Sequence, residues 1–346
     1  MDISIIIPIY NGEKFIDSCF NSILYQEIAN LNVEICVCND GSIDNTPNLL
    51  SNWENIFKSH NFTFKLVNHP FGQSLGCGKS KNSAVSISTG KYLCFQDVDD
   101  LMFPHRLIEQ YNAASELANN YIVGSRIVRE PKNSTVRYTN WANNLDDNKL
   151  DVQIFTSNGP TIIMPTWFMH RSIFHKIGGF SEKVKGEPED LIFFYNHLDL
   201  GGKLHRVNQV LVSYTYHTNC TTHSIHEDII WDVRIKRLQE KILIDWKEFT
   251  IWNAGKQGRK LFKSLSEENQ KKVIALCDVD SNKVGKYYTP FDLNLRISKK
   301  PIEIIHFSKA KAPIIICVKM DMTNGVFEDN LNSLNLQEGK DYIIFS

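Results

Sequence analysis

Residues 92–100 read YLCFQDVDD: an apolar run from Tyr92 to Phe95 passes almost directly into three aspartates, Asp97, Asp99 and Asp100. One acidic residue at a strand end is ordinary, because Asp caps the helix that follows. Three within four positions repel one another. A cluster that stays ionised needs a compensating cation, most simply a divalent metal held by oxygen ligands. The stretch therefore predicts a buried strand that delivers carboxylates to a metal at its carboxyl end.

The flanking sequence supplies the sheet to which that strand belongs. Ile3 to Ile9 is a continuous apolar run, and Phe15, Ile16, Cys19, Phe20, Ile23 and Leu24 then recur at helical spacing. Val33 to Cys38 is a second strand running into NDGS, followed by a helix with Pro47 in its first turn. Phe64 to Val67, a helix over about 79–88, Tyr92 to Phe95 and a helix opened by Pro104 continue the alternation up to about residue 130. Repeated βα units predict an α/β fold with a mostly parallel sheet covered on both faces. In such sheets ligands bind beyond the carboxyl ends of strands, where NDGS and QDVDD both fall.

Between Thr161 and His217 the pattern is irregular: a strand over Thr161–Met164, a short helix over Ser172–Ile177, a helix over Pro188–Leu200 and a strand over Val210–Tyr216 are expected. A helix over about 225–246 leads to a second alternating series, FTIW, VIALCD, IEIIHF, IIICVK and YIIFS. The expected organisation is one domain over 1–223, a helical connector over 224–247 and a smaller Rossmann-like α/β domain over 248–346.

With 42% apolar and 22% charged residues and a formal charge of −1, the composition is that of a water-soluble globular protein with no global sign of nucleic-acid or membrane binding. Locally, residues 232–300 hold 16 Lys/Arg against 9 Asp/Glu, a mild basic surplus. Eight scattered cysteines without a CxxC pair read as reduced residues of a cytoplasmic protein, and the apolar start is too short for a signal peptide. Two glycine-rich stretches invite a nucleotide reading. GQSLGCGKS (72–80) separates Gly72 from Gly78 by five residues where a P-loop has four, and no strand runs into it. NAGKQG (253–258) follows a strand, with Asp278 closing the next one, but it lacks the middle glycine of a dinucleotide site and reads first as a structural turn.

Four motifs in one order, IIIPIYNGEKFI, CNDGSIDNT, SKN and DVDD, resemble those of the family 2 glycosyltransferases of the GT-A fold. Further stretches along the whole chain, among them NSTVRYTNW, FTSNGPTIIMPTWF, GEPEDLIFFYNHL, FTIWNAGKQGRKLF and FEDNLNSLNLQEGKDY, resemble a group of animal enzymes identified with tRNA-queuosine galactosyltransferases. That resemblance implies UDP-galactose as donor and the cyclopentene diol of queuosine, at the wobble position of tRNA (tRNA-Tyr), as acceptor. Alternatives from other classes are a UDP-N-acetylglucosamine transferase acting on a glycan, and a non-catalytic module that binds UDP-sugar or tRNA.

Displacing UDP from an anomeric carbon leaves negative charge on the diphosphate, so the chemistry calls for a metal, Mn2+ or Mg2+, and cationic groups. Asp99 and His217 are the candidate ligands, with His223 a weaker second; Asp97 faces the donor, and Asp100 caps the next helix or joins the metal. Lys81 stands where the resemblance implies a basic residue toward phosphate. Asp40 is the matched acceptor for uridine N3–H, and Pro8, Tyr10 and Glu13 complete the donor side. An inverting displacement needs a general base on the acceptor side: Asp190 is the candidate, with Glu189 orienting the acceptor. Thr166 and Trp167 are expected to wall the acceptor pocket. Lys256, Arg259, Lys260, Lys271 and Lys272 are the candidate tRNA contacts.

Overall fold

The structure, a computed structural model, describes residues 1–183, 186–218, 225–292, 296–298 and 300–346. The chain divides into two compact units, the first comprising 1–151 and 160–226, the second 152–159 and 227–346. The helix expected to connect two domains is thus part of the second unit, and so is an eight-residue excursion taken from the middle of the first.

The first unit is built from β1 (Ile3–Ile9), α1 (Ile16–Leu24), β2 (Val33–Asn39), α2 (Thr46–Ser59), β3 (Thr63–Asn68), α3 (Cys77–Ser86), β4 (Tyr92–Phe95), β5 (Leu101–Met102), α4 (Arg106–Glu116), β6 (Tyr121–Glu130), α5 (Val136–Asn144), β7 (Phe168–His170), α6 (Arg171–Ile177), α7 (Glu189–Asp199) and β8 (Lys203–Thr215). Its eight strands lie in the order β3-β2-β1-β4-β7-β6-β8-β5. The run from β3 to β4 is parallel, β7 is antiparallel to both its neighbours, and β6 and β8 are parallel to each other. Strands β1, β2 and β4 are buried almost throughout, as a sheet covered on both faces demands. Ile3, Ile5 and Ile7 on one face of β1 pack with Phe20, Trp53 and Phe57 from α1 and α2.

The strand expected over Thr161–Met164 is absent. Pro160 and Pro165 remove ladder donors, and the segment forms a 3₁₀ turn at Met164–Thr166 before β7 begins. Strand β6, which the sequence did not announce, joins β7, β8 and β5 in the second half of the sheet, and α5, equally unannounced, packs on β6.

The second unit contains α8 (Glu227–Leu238), β9 (Phe249–Trp252), α9 (Lys256–Ser264), α10 (Glu267–Lys271), β10 (Val273–Asp278), β11 (Tyr287–Tyr288), β12 (Phe291–Asp292), β13 (Ile297–Ser298), β14 (Ile302–His306), β15 (Ile314–Ile316), α11 (Val326–Asn332) and β16 (Tyr342–Ile344). The sheet order is β11-β14-β10-β9-β15-β16, parallel except for β11. Counting its parallel strands in chain order gives 3-2-1-4-5, the doubly wound Rossmann arrangement. No helix among the described residues is long and apolar enough to cross a membrane.

Candidate active site

The acids of DVDD stand at the carboxyl end of β4, and their turn is held by a buried polar network. Gln96 donates from Nε2 to the carbonyls of Asp97 and Asp100, both at 2.8 Å. Arg106, fully buried at the start of α4, donates to Gln96 Oε1, to the carbonyls of Phe95 and Pro165, and to Gln110 Oε1. The backbone that presents the three carboxylates is therefore fixed from behind.

One ligand-type oxygen from each of Asp97, Asp99 and Asp100 lies within 4.8 Å of the others. Asp99 Oδ2 meets His217 Nε2 at 2.8 Å, and Phe15 stacks on that imidazole at 5.0 Å between ring centres. Asp100 does not cap the following helix, because β5 intervenes; its Oδ1 accepts from Thr215 N at 2.8 Å, while its buried Oδ2 has no partner. Burial, opposed by the charge of Lys81 and assisted by those of Asp99, Glu189 and Asp190, pushes Asp97 up to about 6. Burial and the charges of Asp99 and Asp97 push Asp100 well above the carboxylate range. Three crowded carboxylates, one orphaned oxygen and an imidazole fit a hard divalent cation such as Mn2+ or Mg2+. His223 lies outside the described residues.

Lys81 and Glu189 form a buried ion pair, Nζ to Oε1 at 2.9 Å, with the ammonium 5.1 Å from the centre of the Phe180 ring. The two elements approach because Gly78 lacks a side chain: a Cβ there would overlap Ser181 O. Asn82 locks the same contact, exchanging hydrogen bonds with the backbone of Phe180. Glu189 is thus the partner of Lys81, which holds its carboxyl below the usual range against the effect of burial. Asp190, next along α7, pairs with no cation among the described residues; burial and the charge of Glu189, against that of Lys81, push it up to about 6.

On the donor side, the loops after β1 and β2 are laced together. Asn11 N donates to Ser42 Oγ, Gly12 N to Thr46 Oγ1, Glu13 N to Asp44 Oδ2, and Glu13 Oε2 accepts from Asn45 N. Glu13 is therefore a loop tie as well as a donor-side residue. Pro8 is half-buried in β1, and Tyr10 is exposed at the strand end. Asp40 is more committed than expected. Its carboxylate accepts from His69 Nδ1 at 2.5 Å, Leu75 N at 2.9 Å, Ser74 Oγ at 2.8 Å and Gly76 N at 3.0 Å. All four of its lone-pair positions are in use, so it orders the 70–76 loop in addition to any role toward a base. The P-loop-like amides at Leu75 and Gly76 bind this carboxylate rather than presenting themselves to phosphate.

Thr166 and Trp167 do not wall a pocket. Both are 0% exposed; Thr166 Oγ1 donates to Ile163 O, and the Trp167 indole donates to Ile162 O while packing on Phe180, Phe193 and Phe194. The indole is core, placed there by the same 3₁₀ turn that displaced the expected strand.

In the second unit, the NAGKQG turn consumes its own donors: Gly255 N bonds Asn253 Oδ1, and Ala254 N bonds Asp278 Oδ2, which also receives Lys283 Nζ at 3.0 Å. Gly258 is required because a Cβ would overlap Asn253 O. Among the candidate RNA contacts, Lys260 pairs with Asp228, Lys272 donates to Leu243 O, and Arg259 donates to Ala254 O and lies over Tyr288. Lys256 and Lys271 are exposed.

A model of the family described as "Glycosyl transferase family 2" matches residues 4–178. The chain belongs to this family. An uncharacterized glycosyltransferase of Rickettsia felis is 26% identical over 258 residues, 71% of this chain and 40% of the relative, so the chain spans less than half of that protein. A Rickettsia prowazekii glycosyltransferase is 25% identical over 83% of this chain and 87% of its own length. Poly(ribitol-phosphate) β-glucosyltransferase of Bacillus spizizenii is 31% identical over 36% of this chain and 19% of its own length. Among solved structures, S. aureus TarS in complex with UDP-GlcNAc superposes with a TM-score of 0.55 at 17% identity, covering 78% of this chain and 71% of that one. The mixed sheet around β4 is thus a GT-A fold carrying a family 2 glycosyltransferase domain.

Proposed function

We propose that the protein is a cytoplasmic, metal-dependent, inverting glycosyltransferase that moves galactose from UDP-galactose to queuosine in tRNA. The observation that carries the catalytic part is the juxtaposition of the Asp97, Asp99 and Asp100 cluster, joined by His217, with Asp190, whose charge reaches Asp97. The donor sugar and acceptor rest on the resemblance of stretches along the whole chain to the queuosine galactosyltransferases.

Asp97, Asp99, Asp100 and His217 would hold Mn2+ or Mg2+, which supplies charge compensation for the UDP leaving group. Asp190 then works from the acceptor side. As the acceptor oxygen bonds to the anomeric carbon and the bond to UDP breaks, its carboxylate takes the hydroxyl proton. A carboxyl raised to about 6 is ionised at neutral pH yet more basic than an ordinary aspartate. Lys81, held in place by Glu189, acts with its charge on Asp97 and Asp190 and favours their ionised forms.

The test is mass spectrometry of nucleosides from queuosine-containing tRNA incubated with the protein, Mn2+ and either UDP-galactose or UDP-N-acetylglucosamine. Addition of one hexose from UDP-galactose is expected. Addition of N-acetylhexosamine instead would overturn the donor, and no addition from either would overturn the acceptor.

A further inference from the structure

Arg106, Arg129, Arg206 and Arg234 are the buried arginines among the described residues. Three of them donate to backbone oxygens: Arg106 to Phe95 and Pro165, Arg206 to Ala142 and Leu145, Arg234 to Phe155 and Ser346. Arg129 is the exception. It is 8% exposed, its Nε, like that of Arg206, is sealed from solvent without a partner, and unlike the other three it donates no hydrogen bond to any described residue. Aromatic faces hold it instead: its central carbon is 3.7 Å from the ring centre of Tyr214, 5.4 Å from Tyr138 and 5.8 Å from Tyr216. A largely buried cation with no hydrogen-bond acceptor is costly unless a nearby charge or a ligand completes it; the charge of Arg129 reaches Asp100, and its guanidinium fork is left free to take a ligand.

Register places this cation beside the site. Arg129 on β6 is opposite Tyr214 on β8, and the next pair is Glu130 and Thr215, whose amide donates to Asp100 Oδ1. Strands β6 and β8 lie on the side of β4 away from β1 and β2, whose ends form the donor half. Tyr138, on α5, lies near enough to Asp190 to feel its charge. A guanidinium fork matches phosphate in geometry and charge, and flanking tyrosines offer faces to a base.

We propose that Arg129, caged by Tyr138 and Tyr214, seats a phosphate group of the acceptor beside the carboxylate cluster. This deepens the reading of a nucleic-acid acceptor and rests on it for the identity of the nucleoside. The same phosphate chemistry could come from the donor diphosphate, and the experiment separates the two.

Wild-type protein and Arg129→Met are compared with saturating UDP and Mg2+ for binding of inorganic phosphate by equilibrium dialysis, and for transfer from UDP-galactose to queuosine and to its 5′-monophosphate. The expected results are phosphate binding weakened at least tenfold in the variant, a wild-type preference of at least tenfold in kcat/KM for the monophosphate that collapses in the variant, and UDP affinity within twofold of wild type. The variant should melt at or above the wild-type temperature, since it removes an unpaired buried charge. Absence of phosphate binding in the wild type would overturn the proposal. An equal loss of UDP affinity would assign the phosphate to the donor, an equal loss of Mg2+ affinity would make Arg129 a counter-ion of Asp100, and a clear drop in melting temperature would make it structural; each of these also overturns it. If neither queuosine form is galactosylated while phosphate still binds through Arg129, the acceptor reading fails and the phosphate seat stands.

Discussion

Single side chains in the site differ chiefly in what compensates their charge. Asp99 has an imidazole on it, Glu189 has Lys81, and Asp190 pairs with no cation among the described residues, so that burial and the charge of Glu189 raise it to about 6 against the charge of Lys81. A base in that position is active only when ionised. We expect the pH profile of kcat/KM to fall about tenfold per unit below pH ~6, and to rise toward a plateau above it. Asp190→Asn should abolish transfer while leaving the UDP dissociation constant near wild type, whereas Asp99→Asn should weaken metal-dependent UDP binding at least tenfold. Calorimetric titration of both variants with UDP and Mn2+ checks this division, and an equal loss of UDP affinity would refute it. The acids were legible in the sequence because three carboxylates at a strand end have few bland explanations. Thr166 and Trp167 were misread because a threonine and an indole look the same in sequence whether they face a pocket or the core.

Whole elements are placed by a few close approaches. Helix α3 reaches the 180–182 segment only because residue 78 has no Cβ, and that approach lets Lys81 meet Glu189 at the start of α7. Gly78→Ala should cost about 1–3 kcal/mol and lower activity at least tenfold by parting the pair, as measured by denaturant unfolding and a transfer assay. At the other end of the sheet, buried Glu34 on β2 pins the turn before β4, accepting from Ser4, Lys65, Thr89 and Gly90. Burial alone would raise its pKa, but these donors hold it at about 2. A depressed carboxyl stabilises the fold above its unfolded pKa, and this contribution, about 3 kcal/mol, is lost as pH falls from ~4.5 to ~2. Urea unfolding of Glu34→Gln should show that deficit at pH 7 and progressively less of it toward pH 2. The helical spacing of α1 and the strand runs of β1 and β2 were readable from sequence, whereas β6 and α5 were not. A strand such as β6 takes its partners from β7 and β8, far along the chain.

For the whole molecule, the return of residues 152–159 into the second unit ties the two units by connectivity. Ile154 and Phe155 are buried there, and the Phe155 carbonyl receives Arg234. A fragment ending at residue 226 should therefore expose apolar surface, bind a hydrophobic dye and aggregate, while the full chain does not. The basic surplus of the second unit narrows to fewer side chains once internal partners are removed, since Lys260 and Lys272 are engaged within the fold. Reversing the exposed Lys256 and Lys271 to Glu should weaken tRNA binding several-fold and flatten its salt dependence, read by fluorescence anisotropy between low and moderate salt. Unchanged binding would remove this surface from the acceptor path.

The sequence by itself determined the alternation of strands and helices, the second Rossmann-like series, the acid cluster and the acids at the start of α7. Those signals are local, carried by periodicity and by charge next to apolar runs. Tertiary structure alone decided that Asp40 binds its own loop, that Lys81 pairs with Glu189, that Trp167 is core and that Arg129 is a buried cation without a hydrogen-bond acceptor among the described residues. Each of these depends on which side chain arrives from a distant strand or loop, and no spacing along the chain encodes that arrival.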